Sequence, residues 1–215
     1  MTEPLPETER EEANPAESGK SLRMMLWLAV ALAAGIGLAA WFGDNKTAPP
    51  EATDYASTVG GPFELTAPDG STVTDKTLAG KPFAIFFGFT RCPDVCPTTL
   101  SRLAQLRKRM GEDGDKFDIV FVSVDPEHDT PEDIGNYVAL FGTPIIGLTG
   151  TDEQIARIVK AYHVFYRKIP VEGGDYTIDH TAAVYLMDRS GKLQSIIDHQ
   201  ESADTSLDKL KRLVA

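Results

Sequence analysis

The two cysteines of this 215-residue chain fall in one stretch, Phe89-Thr90-Arg91-Cys92-Pro93-Asp94-Val95-Cys96-Pro97-Thr98-Thr99-Leu100. The three-residue gap between them allows a disulfide, whose Cα atoms need only approach to about 4.4–6.8 Å. It equally allows two thiolates to converge on one soft ion. A staple across so small a loop would constrain the unfolded chain little, which weakens a purely structural reading. Structural zinc wants four protein ligands, and only four histidines exist to complete a set. Two thiolates and one imidazole suit copper better, because sulfur selects Cu(I) while nitrogen accepts Cu(II).

The third ligand must come from His128, His163, His180 or His199. Sites on open α/β sheets gather outside the strand ends. His128, after Val124-Asp125-Pro126, and His180, at the entrance to the run Thr181 to Met187, could both reach such an edge. Gly173-Gly174-Asp175 reads as a flexible lead that could carry His180 over the cysteines. His163 lies at a helix end between Tyr162 and Tyr166, and His199 beside Asp198 and near Glu201; both have bland readings as packed or solvated side chains. The residues favour His180 modestly and leave His128 open.

The elements around the pair position it. Phe83-Ala84-Ile85-Phe86-Phe87-Gly88 has the length and aromatic content of a strand buried on both faces. Leu100, Leu103, Leu106 and Met110 recur at helical spacing beside Ser101, Arg102, Arg107 and Lys108. The cysteines therefore sit on a strand-to-helix turn. Proline suits the first helical position, so Cys96 is expected at the N-cap and Pro97 at N1, with Cys92 in the loop. The positive end of that helix and the nearby Arg91 should make the pair more acidic than free cysteine. A thiolate is the form that binds metal or attacks a disulfide.

Further elements can be placed by their signals. Pro68-Asp69-Gly70 marks a short hairpin between Phe63 to Thr66 and Thr72 to Thr74. Phe117 to Val124 reads as a strand. Thr130-Pro131-Glu132-Asp133 opens a helix with Ile134, Tyr137, Val138 and Phe141 inward. Ile145 to Leu148 is a short strand, and Thr151-Asp152-Glu153-Gln154 is a capping box. Thr181 to Met187 and Leu193 to Ile197 flank a turn, and Leu207, Leu210 and Leu213 mark a last helix. Strands alternating with helices mean parallel pairing through right-handed crossovers, with antiparallel strands added by the closing hairpin. The expected fold is α/β, a mixed sheet with helices on both faces.

The chain ahead of this domain differs in composition. Residues 1–23 are rich in Glu and Pro and read as a disordered cytoplasmic tail. Met24 to Phe42 carries no charge and, at about 1.5 Å per residue, is just long enough to cross a bilayer core of about 30 Å. Trp27, Trp41 and Phe42 suit its interfaces, and Lys20 and Arg23 hold its N-terminal side inside. We read residues 24–43 as an uncleaved anchor rather than a cleaved signal, residues 44–61 as a linker and residues 62–215 as one domain outside the membrane. In a periplasm two cysteines can oxidise to a disulfide. A net charge of -11, with no basic stripe outside the short Arg107-Lys108-Arg109 run, counts against nucleic acid as a partner.

Three motifs together resemble the Sco/SenC family of membrane-anchored, thioredoxin-like copper proteins, with a peroxiredoxin-like mixed sheet. They are Phe89 to Pro97, then Ser123-Val124-Asp125-Pro126-Glu127-His128-Asp129-Thr130-Pro131, then Ile178-Asp179-His180-Thr181 leading into Tyr185-Leu186-Met187-Asp188. The resemblance implies that Cys92, Cys96 and His180 bind copper, which lifts His180 above His128. It implies a metallochaperone serving the dinuclear copper centre of cytochrome c oxidase subunit II, and the anchor reading places it in the bacterial inner membrane, single-pass with its C-terminal domain in the periplasm. An upstream periplasmic copper donor would then load it. The alternative is a thiol-disulfide oxidoreductase using Cys92 and Cys96 to keep the oxidase copper-site cysteines reduced, and a peroxide-reducing relative is a weaker third reading. Thr181 stands where serine is expected, and Asp94 and Asp179 could tune the ligands from beside them.

Overall fold

A computed structural model describes residues 23–35, 38 and 51–215. Residues 23–35 are helical (α1), and among the described residues no helix is long and apolar enough to cross a membrane. Residues 1–22 of the tail, residues 36–37 and 39–43 of the anchor and residues 44–50 of the linker lie outside the described residues. Within the rest of the stretch read as a linker, Glu51–Thr58 forms a helix, α2. Beyond it Val59 is buried, and the Gly60 N–H donates to the Ala161 carbonyl at 2.9 Å.

The apolar run becomes β3 (Phe83–Gly88), and all six of its residues are buried. It pairs in parallel with β4 (Asp118–Ser123) and antiparallel with β8 (Ala183–Met187). β5 (Ile146–Leu148) adds in parallel to β4, and β9 (Leu193–Asp198) antiparallel to β8, giving the order β5-β4-β3-β8-β9. This mixed sheet with flanking helices fits the thioredoxin-like expectation. The short hairpin is present as β1 (Glu64–Thr66) and β2 (Thr72–Thr74), followed by a one-turn helix α3 (Asp75–Leu78).

Local signals set the crossovers. After α4 (Val95–Arg109) a 3-10 turn, Gly111–Lys116, leads into β4. Thr130 caps α5 (Pro131–Ala139) and Thr151 caps α6 (Asp152–Ala161), each in a reciprocal capping box that satisfies two free N–H groups. Gly147 on β5 admits α5 closely: a Cβ there would stand 2.4 Å from a methyl of Ile134. The last helix, α7 (Ala203–Val214), buries Leu207, Leu210, Leu213 and Val214 against α4, β8 and β9.

One hairpin escapes the sequence reading. Tyr166–Pro170 (β6) and Tyr176–His180 (β7) pair antiparallel as a separate two-stranded sheet. Gly173 and Gly174, both at positive φ, form its turn, so they are a tight reversal and not a loose lead. The strand read as starting at Thr181 begins at Ala183.

Candidate metal centre

Parallel pairing of β3 and β4 brings their C-terminal ends to the same edge, where the Val124 N–H donates to the Gly88 carbonyl at 2.8 Å. The cysteine loop leaves from this edge and is tied to the neighbouring loop by Asp129, which is 1% exposed. Its carboxylate accepts from the Thr90 N–H at 2.9 Å, the Thr90 hydroxyl at 2.6 Å and the Ser123 hydroxyl at 2.6 Å. Three donors satisfy a buried charge that would otherwise be costly.

Helix α4 starts earlier than its prolines suggested. Asp94 is the N-cap, so Cys96 lies in the first turn with Pro97 just after it. Proline is tolerated there because the first-turn N–H groups lack intrahelical partners in any case. The shift has a chemical consequence. The Cys96 N–H donates to the Cys92 sulfur at 3.4 Å, so the helix terminus serves the loop cysteine, Cys92. A hydrogen bond from the Cys96 thiol, with further donation from the Cys96 and Asp94 backbone N–H groups, holds the Cys92 thiol well below its ordinary range. The same sulfur–sulfur interaction, together with burial, pushes Cys96 up. The pair therefore splits into a half-exposed thiolate and a buried thiol, where the sequence had suggested two acidic groups.

Cys96 is fully buried. It fits because position 88 is glycine: a Cβ on Gly88 would stand 2.6 Å from the Cys96 sulfur. Across from it, at the end of β7, His180 presents Nε2 to the Cys96 sulfur at 3.5 Å. His180 Nδ1 lies 3.1 Å from the Thr181 carbonyl, an acceptor that places the proton on Nδ1 and leaves the Nε2 lone pair free. Phe86 and Phe89 meet the imidazole edge-on at 6.0 and 5.9 Å. The sulfurs of Cys92 and Cys96 and a ring nitrogen of His180 all lie within 4.8 Å of one another. Three ligands around one ion at about 2.0–2.3 Å would stand roughly 3.5–4 Å apart, so the group needs little movement to close on a metal. Both cysteines are free thiols, and two sulfurs with one imidazole form the soft donor set that suits copper.

The other candidates go elsewhere. His128 Nδ1 lies 3.3 Å from Asp125 Oδ1 and 2.9 Å from the Tyr176 hydroxyl, outside the sulfur group. His163 turns its Nε2 to the Thr58 carbonyl at 3.1 Å. His199 stands at the far end of β9, where its carbonyl accepts from Arg102 at 3.1 Å. Arg91 does not turn to the thiols as expected, because its guanidinium pairs with Asp175 at 2.7 Å and Asp125 at 3.3 Å. Asp179 faces outward to Arg167 at 3.5 Å, and the Asp94 carboxylate accepts from the Thr98 hydroxyl at 3.2 Å. Thr181 serves as the expected serine would, its hydroxyl oxygen accepting the Phe165 N–H at 3.0 Å. Gly88, Asp129 and Tyr176 escaped the sequence reading. Only the glycine ending an aromatic run hinted at the first, and only its place in the Ser123 to Pro131 motif at the second.

The SCO1/SenC family model matches residues 51–215. The SCO1 homolog 1 of Arabidopsis thaliana mitochondria is 45% identical over 130 residues, covering 60% of this chain and 39% of that protein. The chain spans less than half the length of the first curated relatives it matches. The structure of Bradyrhizobium japonicum ScoI with copper bound shares 46% identity at a TM-score of 0.67, covering 72% of this chain and 99% of that one. BsSco, described as a member of the Sco family of cytochrome c oxidase assembly proteins, is 26% identical at a TM-score of 0.59, covering 74% and 95%.

Proposed function

This chain belongs to the SCO1/SenC family, and we propose that it is a copper metallochaperone that holds its cargo on Cys92, Cys96 and His180. The convergence of those three donor atoms within 4.8 Å carries this reading. Copper bound to a similar family structure supports the choice of metal. The membership of BsSco in a family of cytochrome c oxidase assembly proteins supports cytochrome c oxidase as the beneficiary, and we propose the dinuclear copper centre of subunit II as the acceptor and a periplasmic copper protein as the donor. A three-ligand site suits transfer, because a fourth position stays open for an incoming ligand from the partner. We further propose that Met24 to Phe42 anchors the domain on the periplasmic side of the inner membrane.

The test is copper analysis and spectroscopy of the reduced full-length chain beside His180→Ala and single Cys→Ser variants. Wild type is expected to bind one copper ion tightly, with His180→Ala losing stable binding while keeping thiol exchange. Unchanged copper affinity in His180→Ala would reject the ligand set.

A second reading draws on the split between the thiols. As an oxidoreductase, Cys92 thiolate would attack a partner disulfide and release one partner thiolate. Cys96, losing its proton, would then attack Cys92, freeing the second partner thiol and leaving Cys92 and Cys96 joined. The partner gains the two electrons this chain loses. This chemistry does not use His180 as a ligand, so the same His180→Ala variant separates the two roles.

A further inference from the structure

We propose that Asp125, Arg91 and Tyr176 form a clasp that positions the hairpin carrying His180 over the cysteines, and that its closure sets how long the centre retains copper; the second half rests on the copper reading above.

The hairpin β6–β7 has no ladder to the main sheet, and an isolated two-stranded hairpin is marginally stable in water. Something must hold it down. Tyr176, Ile178 and His180 alternate along β7 and so share one face. Ile178 is buried between the other two. Tyr176 and His180 stand at opposite ends of that strand, about 13 Å apart at 3.3 Å per residue. The Tyr176 end is fastened where three segments meet. Its hydroxyl donates to Asp125 Oδ1 at 2.6 Å, the shortest of its polar contacts, with Glu127 Oε2 and His128 Nδ1 each at 2.9 Å.

Asp125 is fully buried, and its other oxygen takes the Arg91 guanidinium at 3.3 Å. Arg91, the residue before Cys92, reaches the hairpin twice: through Asp175 at 2.7 Å and over the Tyr176 ring at 5.3 Å. Lys168, on β6, pairs with Glu127 at 2.6 Å and lies 4.4 Å from the Tyr176 ring centre. The cysteine loop, the loop after β4 and the hairpin are thus locked through one buried carboxylate. A buried carboxylate with one partner removed keeps Arg91, so losing only the tyrosine hydroxyl should loosen the hairpin without unfolding the domain.

The test uses the reduced full-length chain as wild type, Tyr176→Phe, His180→Ala and the double variant. Amide exchange is measured without metal, and Cu(I) release to a competing chelator after loading. Tyr176→Phe is expected to speed exchange roughly tenfold across residues 166–180, leaving β3 and β4 protected, as the loss of one charge-assisted hydrogen bond implies. It should release Cu(I) about tenfold faster in the wild-type background and leave unchanged the already fast release from the His180→Ala background, where two sulfurs alone hold the ion briefly, as coupling through the imidazole requires. Hairpin exchange unchanged by Tyr176→Phe would overturn the clasp. Equal acceleration of release in both backgrounds would overturn its action through His180. A wild type that binds no copper would sink the metal reading instead, and the exchange result would then decide the clasp alone.

Discussion

His180 Nε2 stands 3.5 Å from the sulfur of Cys96, although 84 residues separate them. Each side of the contact is prepared independently. Gly88 lets the thiol retreat beneath the turn, and the Thr181 carbonyl fixes the imidazole with its free nitrogen forward. The imidazole can thus complete a soft site above a sulfur pair that is already assembled.

The close approach at Gly88 makes the first prediction. Gly88→Ala would place a methyl 2.6 Å from the Cys96 sulfur and 3.0 Å from a Phe121 ring atom. Neither is the end of a long flexible side chain. Overpacking of this kind costs about 1–3 kcal/mol. Urea denaturation should show that loss, and copper affinity should fall as the thiol is displaced.

The split of the thiols predicts a distinctive alkylation profile. Iodoacetamide should modify Cys92 at a nearly constant rate between about pH 6 and pH 8, whereas an ordinary thiol near pKa 8.5 would speed up about a hundredfold from the lower to the higher pH. Cys96 should resist throughout. The sign for stability follows. The folded pKa of Cys92 lies below its unfolded value, so its contribution is fully present above about pH 8.5 and is lost as pH falls toward the folded value. Mass spectrometry of the labelled peptides distinguishes the two cysteines.

Asp129 holds the cysteine loop by three hydrogen bonds from a site almost without solvent. Asp129→Asn keeps the size but turns an amide toward groups that can only donate or must find a new acceptor. The expected cost is roughly 2–3 kcal/mol in chemical denaturation. Amide exchange at Thr90 should rise with it.

Thr181 offers a control on the same hairpin. Its hydroxyl oxygen accepts the Phe165 N–H at 3.0 Å, and serine carries the same acceptor. Thr181→Ser should therefore lie within about 0.5 kcal/mol of wild type. Thr181→Val, lacking the acceptor, should cost about 1 kcal/mol and speed exchange at Phe165.

What the chain's order of residues determined is local. The aromatic run before Cys92 is buried from end to end as β3, and the capping boxes at Thr130 and Thr151 form where their side chains can reach three residues along. Proline positions were less decisive, since the whole first helical turn tolerates Pro97 and the cap fell on Asp94. The β6–β7 hairpin left little trace because Arg167, Lys168 and Asp179 face solvent, so no sustained apolar alternation marks it. Three further features were settled only by the tertiary structure: the imidazole that meets the sulfurs, the thiol that keeps its proton and the carboxylates that draw Arg91 away. Each depends on groups tens of residues apart sharing a small, poorly solvated space, and the energy of such an encounter is absent until the sheet has brought its strand ends together.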